Sequence, residues 1–174
     1  MTGLITEEIQ AHDSSAGFTC GKAELDEFFS QRAHSNHERG LGKTFVLHAN
    51  EASLPTVIGF YTLCMSSIAR EGLARAPRKV RSNVPRDIPV ALIGRLAVDQ
   101  RAQGRRLGEA LLIDAFRRIL SAANAVGCAG VLVHAKDDSA VAFYAKYGFI
   151  DLDPAAPHPR SMLLALDTVV AAVK

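Results

Sequence analysis

A chain of 174 residues with formal net charge +2 and 48% hydrophobic residues is sized for one domain with a substantial core, so residues 1–174 are expected to form a single domain. It has no low-complexity tract or repeat, the opening MTGLITEEIQAHD lacks a basic region followed by an apolar run, and no stretch reaches membrane-spanning length; a soluble, cytoplasmic protein without membrane contact is expected. Cys20, Cys64 and Cys128 are odd in number, far apart and free of any CxxC pair, which suggests neither a disulfide framework nor a metal site, and Cys64 and Cys128, in apolar runs, are expected to pack in the core.

Ile5 to Ile9 reads as a first strand, followed by a polar turn from His12 to Ala16. In KAELDEFFSQRAHS the residues Leu25, Phe28, Phe29 and Ala33 fall on one helical face, which predicts one helix or two short ones ending before the polar run Asn36 to Gly42. Lys43–His48 and Thr56–Ile68 read as two strands of an antiparallel meander, with Gly59 marking a bulge or a close backbone approach.

From Arg70 to Arg86 the segment carries Arg70, Arg75, Arg78, Lys79, Arg81 and Arg86 against the single acid Glu71, a strong local positive field. Pro77, Pro85 and Pro89 argue that this segment is mostly loop, with at most a short helix after Arg70. A solvated basic loop fits the same residues.

The stretch Leu92 to Leu120 organises the chain. It opens as an apolar, β-prone run, breaks at Asp99, turns through Gln100 to Gly104, and resumes as one apolar helical face through Leu107, Leu111, Leu112, Ala115, Phe116, Ile119, Leu120 and Ala123. A helix entered through such a turn presents unpaired N–H groups and the positive end of its dipole, the geometry that holds phosphate. Arg101, Arg105 and Arg106 add fixed positive charge there. An arginine-rich turn before an ordinary amphipathic helix fits as well.

Beyond the helix, Val131 to Ala135 reads as a buried strand, and Asp137 or Asp138 caps a helix that runs past Phe143 and Tyr144 and ends at Gly148. Phe149–Leu152 and Met162–Leu166 read as final strands. Strands that first meander and then alternate with helices predict an α/β or α+β domain, a mixed, mostly antiparallel sheet with helices on its faces. The apolar tail MLLALDTVVAAV offers a surface for a homodimer or another protein.

On RLAVD (Arg95–Asp99), QGRRLGEALL (Gln103–Leu112) and AVAFYAKYGF (Ala140–Phe149), over nearly the whole length, the chain resembles the GCN5-related N-acetyltransferase (GNAT) family. FTCGKAELDEFF, VIGFYTL, PRDIPVALIGRLAVD and the Phe143–Tyr144 pair narrow the resemblance to the GNAT toxins of bacterial toxin–antitoxin modules. It implies the GNAT fold, with the sheet splayed at the central strand to admit acetyl-CoA as co-substrate. It also implies acetylation of the free amine of aminoacyl-tRNA, which inhibits translation, and restraint by a ribbon-helix-helix antitoxin. The family's turn reads Gln/Arg-x-x-Gly-x-Gly/Ala; Gln103 and Gly108 match, and Arg106 stands where the central glycine is usual. At positive φ that substitution costs about 1–2 kcal/mol and its side chain can crowd the phosphates; at negative φ it adds a phosphate contact.

The roles that follow are these. Backbone N–H groups around Leu96, Ala97 and Val98 face the thioester carbonyl and its developing oxyanion. The amides from Gln103 through Gly104, Arg105, Arg106, Leu107, Gly108 and Glu109 hold the pyrophosphate, with Phe143 packing against the pantetheine or the core. Tyr144 falls at the family's tyrosine position, and its phenol can protonate a departing thiolate. Tyr147 lies on another helix face, about 300° around. Glu71, Asp99, Glu109 and His134 are conceivable bases. A base is dispensable for an α-amine, whose pKa of about 8 leaves a neutral fraction, unlike a lysine amine near about 10.4. Arg75, Arg78, Lys79, Arg81 and Arg86 would draw the acceptor stem through backbone contacts.

Two other readings fit the same residues. One is an N-acetyltransferase of a small amine or protein N-terminus, which has no need of the basic segment. The other is a non-catalytic RNA- or antitoxin-binding module in which Arg106 has closed the cofactor turn.

Overall fold

The computed structural model describes residues 4–174, so the first three residues of the start read above lie outside it. In chain order the elements are β1 (Glu7–Glu8), α1 (Ala23–Gln31), α2 (Ala33–Glu38), β2 (Lys43–His48), β3 (Val57–Ala69), α3 (Arg78–Arg81), β4 (Asp87–Val98), α4 (Leu107–Ala123), β5 (Gly130–Ala135), α5 (Asp138–Lys146), β6 (Ile150–Asp151), β7 (Arg160–Ala165) and α6 (Leu166–Ala172). Short 3-10 turns at Ala11–Ser15, Arg70–Leu73 and Gln100–Ala102 join them. Among the described residues the strands form a seven-stranded sheet in the order β1-β2-β3-β4-β5-β7-β6. β4 and β5 are parallel, whereas the β1–β2, β2–β3, β5–β7 and β6–β7 pairs are antiparallel. This is the mixed, mostly antiparallel sheet that the meander and the later alternation predicted. No helix among the described residues is long and apolar enough to cross a membrane.

The chain divides into two compact units, one of residues 1–64 and 94–115, the other of residues 65–93 and 116–174. In the first, Phe18, Leu25, Phe28, Phe29, Ala33, Val46, Val57 and Phe60 form a buried cluster. Aromatic rings dominate it, with Phe29 and Phe60 centroids 4.8 Å apart, and each large side chain so buried contributes about 1.5–3 kcal/mol. Gly59 sits beside the register shift between β2 and β3, and a Cβ there would stand 2.8 Å from Leu111 Cδ1. It is therefore the close approach that the sequence allowed for. Asp114 of α4 accepts hydrogen bonds from the Tyr61 hydroxyl and from Thr6, each at 2.5 Å.

In the second unit Leu73, Val80, Ile88, Val90, Leu132, Leu163 and Ala165 cluster. Phe116 stacks on Phe149 with ring centroids 6.1 Å apart. Asp137 is the N-cap of α5, its carboxylate accepting from the Ala140 N–H at 2.8 Å, as the sequence proposed.

Several expectations need correction. The basic segment is not among them: it is mostly loop, as expected, with a 3-10 turn at Arg70–Leu73 and one helical turn at Arg78–Arg81 that begins directly after Pro77, where a proline is well placed ahead of a first helical turn. α2 continues to Glu38, past the boundary placed before Asn36. Cys64 and Cys128 are half-buried, not core residues. The apolar tail is largely spent inside the chain, since Met162 to Ala165 are buried in β7 and Val169 is buried in α6, while Val170 remains 38% exposed.

Candidate active site

In the first unit β4 is followed directly by Asp99, which is fully buried although it carries a carboxylate. Its two oxygens accept from the Arg101 backbone N–H at 3.0 Å, from Arg101 Nε and Nη2 at 2.9 Å each, and from the Thr19 N–H at 2.9 Å. Burial alone would raise this carboxyl, but the Arg101 guanidinium and the two backbone donors outweigh it and hold its pKa below the ordinary carboxylate range. Arg101 also donates to the Gly17 carbonyl at 2.9 Å. It is thus committed to the fold and not available to a phosphate, and Asp99, ionised and saturated with donors, is not a base.

The same network fixes the FTCG segment. Asp26, in the first turn of α1, accepts from Thr19 Oγ1 at 2.9 Å and from the Cys20 N–H at 2.8 Å. Sequence reasoning passed over Asp26; an acid in a first helical turn just after a Thr-Cys-Gly turn is the signal that marks it. Burial pushes the Cys20 thiol up to about 11 and raises Cys64 as well, so neither is poised as a thiolate nucleophile.

The turn into α4 decides the question raised by Arg106. Its φ is +60°, and that of Gly104 is +80°. Arg106 therefore adopts the left-handed conformation that a glycine would take at no steric cost, and the turn keeps its path. Its guanidinium folds along the helix onto Glu109, Nε at 3.1 Å and Nη2 at 3.0 Å. A Cβ on Gly104 would meet nothing within 4 Å, so that side of the turn is open. The first bond into the helix runs from the Ala110 N–H to the Arg106 carbonyl at 3.2 Å. The N–H groups of Leu107, Gly108 and Glu109 precede it and remain for an anion, at the positive end of a 17-residue helix. Gln103 braces the turn from behind, its amide donating to the Val98 and Cys20 carbonyls at 3.0 and 3.2 Å. Arg105 reaches Glu51 at 3.2 Å across an exposed pair, a contact weak enough to exchange for phosphate. These features fit a pyrophosphate.

Leu96 to Val98 lie on β4 beyond the part registered with β5, which spans Ala91 to Ile93. In the second unit Tyr144 is 9% exposed, with its ring edge-on to Phe143 at 5.2 Å and to Phe149 at 5.3 Å. Burial pushes its phenol up to about 12, so the hydroxyl carries its proton throughout the physiological range. Phe143 is half-buried, and its ring meets Tyr147 edge-on as well, at 5.2 Å. A cavity of about 470 Å³ in this unit is lined by Glu71, His134, Ser66, Leu132, Asp153 and Ser161, among others. Two of the conceivable bases thus share one cavity. Partial desolvation lowers the His134 pKa, and its Nδ1 lies 3.1 Å from Ser161 Oγ.

The five basic candidates, also in this unit, are all exposed. They are not equivalent. Lys79 pairs with Asp167, Arg81 Nε donates to the Ala76 carbonyl at 3.0 Å and Arg75 Nε to the Asp151 carbonyl at 3.2 Å.

A family model described as an acetyltransferase (GNAT) domain matches residues 42–151, and the chain belongs to that family. It is an acetyl-CoA-dependent acetyltransferase. The tRNA-acetylating toxin of Mycobacterium tuberculosis is 41% identical over 152 residues, 87% of each chain. Among solved structures, AtaT complexed with acetyl-methionyl-tRNAfMet superposes with a TM-score of 0.83 at 26% identity, covering 98% of this chain and 99% of that one. A Tyr→Phe mutant of the AtaT toxin, bound to the C-terminus of the antitoxin AtaR and to acetyl-CoA, gives 0.77 at 26% identity over 97% and 96%.

Proposed function

We propose that this protein is the toxin of a type II toxin–antitoxin pair, acetylating the α-amino group of aminoacyl-tRNA in the cytoplasm and thereby blocking translation. The observation that carries this reading is the 41% identity to a tRNA-acetylating toxin across 87% of both chains. The cognate antitoxin is of the ribbon-helix-helix type, the toxin forms a homodimer, and residues 1–174 act as one catalytic domain.

Acetyl-CoA supplies an activated acetyl thioester. The amides of Gln103 to Glu109 hold its pyrophosphate, and the N–H groups of Leu96, Ala97 and Val98 receive the carbonyl oxygen as negative charge develops on it. Tyr144 keeps its proton at cellular pH and gives it to the leaving sulfur, while Phe143 orients the phenol by edge contact. No base is required for the attack, because an α-amine of pKa about 8 is partly neutral already. Once its nitrogen has bonded to the acetyl carbon and the C–S bond has broken, the proton it sheds passes to solvent, from which Tyr144 is reprotonated. Arg75, Arg78, Lys79, Arg81 and Arg86 take the acceptor stem by its phosphates.

The test is transfer of labelled acetyl to bulk charged tRNA, with uncharged tRNA and Tyr144→Phe as controls. Label on charged tRNA alone, lost in the variant, is the expected result. Label that goes instead to a small amine or a protein N-terminus would overturn the substrate class.

A further inference from the structure

The first unit holds another cationic feature, built on an aromatic ring. α1 and α2 meet at Arg32, whose φ and ψ of −127° and −26° break the helix and whose N–H bonds the Phe28 carbonyl at 2.9 Å. That break brings the Arg32 guanidinium to 5.7 Å from the centroid of the Phe28 ring. The same ring receives Arg95, from β4, at 3.6 Å. Phe28 itself is 2% exposed, so the two cations rest on a buried ring. Arg95 is half-buried and Arg32 exposed.

Neither guanidinium pairs with a carboxylate among the described residues. Each cation gains from the ring, yet like charges gathered there repel, and Arg95 is also desolvated. Both effects draw its pKa below the ordinary arginine value, desolvation the more strongly. An anion between the two forks would relieve the repulsion and restore hydrogen bonds to donors that burial has cut off from water. Arg95 immediately precedes Leu96 to Val98, the amides assigned to the oxyanion. An acceptor whose amine attacks the carbonyl held by those amides brings the group just behind that amine close to residue 95.

We infer that Arg32 and Arg95, seated on Phe28, form an anion seat for a phosphodiester near the 3′ end of the acceptor strand. This rests on the aminoacyl-tRNA reading above and adds to it a phosphate contact close to the chemistry, distinct from the stem contacts of Arg75 to Arg86. Because the ring is buried beneath guanidinium, the seat reads backbone and not base.

The experiment compares wild type with Arg32→Gln, Arg95→Lys and the double variant Arg32→Gln/Arg95→Gln. Filter binding of uncharged tRNA is measured against salt, and steady-state acetylation of charged tRNA alongside it. In the double variant the expected KM for charged tRNA rises at least about tenfold, with kcat changed less than about threefold. The slope of log binding constant against log salt shrinks by about 0.7 for each lost single-strand phosphate contact. Arg95→Lys keeps the slope and loses part of the affinity, since the charge survives and the fork does not. Arg32→Gln alone, at an exposed position, shows the reduced slope even where the double variant folds poorly.

An unchanged slope in Arg32→Gln and in a folded double variant overturns the seat. So does unchanged tRNA binding with lost neutralisation by the antitoxin, which would assign the pair to carboxylates of a protein partner. A wild type that transfers no acetyl to charged tRNA, yet shows the slope difference with uncharged tRNA, would retain the seat and remove the reaction.

Discussion

The Asp99 carboxylate accepts the Thr19 N–H at 2.9 Å, so one buried anion ties the end of β4 to the segment that leads into α1. Asp99→Asn keeps the shape but loses the charge that Arg101 and the two backbone donors address. Folding stability is expected to fall by about 2–3 kcal/mol, the size of a lost set of charge-assisted hydrogen bonds. The sign of the pH dependence follows from the depressed carboxyl. Its contribution is present above the unfolded carboxylate value of about 3.9 and is lost as pH falls through the lower folded value. Urea unfolding of both proteins between pH 7 and pH 2 checks this, and the gap between them should close at the acid end.

Arg106 offers a test of whether its side chain or only its backbone serves the turn. Arg106→Gly removes the cost of a left-handed non-glycine residue, about 1–2 kcal/mol, and adds back about 0.5–1 kcal/mol of backbone entropy. Stability should therefore be unchanged or slightly higher, and acetyl-CoA affinity by calorimetry should stay within about threefold. A tenfold weakening would show that the guanidinium leaves Glu109 for the phosphates when the ligand binds.

Tyr144→Phe should preserve the fold, because the ring contacts with Phe143 and Phe149 need no hydroxyl. It should lower kcat by about 10²- to 10⁴-fold, the range for a lost general acid, while leaving acetyl-CoA binding intact. With the phenol at about 12, the wild-type rate should rise with deprotonation of the acceptor amine near about pH 8. Tyr144 should impose no falling limb below about pH 11. An alkali-stable, amide-linked analogue of aminoacyl-tRNA makes that profile measurable.

In the basic segment the informative pair is Arg78 and Arg86. Arg81 holds the Ala76 carbonyl and Lys79 holds Asp167, so charge reversal at either also disturbs the local fold. Arg78→Glu/Arg86→Glu should raise KM for charged tRNA, reduce its salt dependence and leave acetyl-CoA affinity unchanged. Equal loss of both affinities would end the division between cofactor turn and acceptor surface.

Much of this arrangement was legible wherever a segment carried its own period. The apolar face from Leu107 to Ala123 announced α4, Asp137 or Asp138 announced the cap of α5, and short apolar runs announced β2 and β3. α6 was missed because LDTVVAA is short and β-branched, and it reads as the tail of a strand until Val169 is seen buried. The basic segment was legible as loop with a short helix after Arg70, and what the prolines left open was where that helical turn begins, which is directly after Pro77. Arg101, read as a phosphate ligand, belongs to Asp99. The stacking of Arg95 on Phe28 joins residues far apart in the chain, and no local pattern contains it.

At Gly59 a hydrogen atom stands where a methyl would press on Leu111, a buried residue in the first turns of α4. A methyl there would have to displace the end of the Leu111 side chain, so the hydrogen lets β3 and the first turns of α4 pack without that shift. Selection for survivors of toxin expression should accordingly recover substitutions of Gly59 too bulky for that shift, such as Gly59→Leu, alongside changes at Tyr144. For a gene whose product harms its host, such silent routes to harmlessness widen the mutational target, and the pair's persistence depends on how often they are taken.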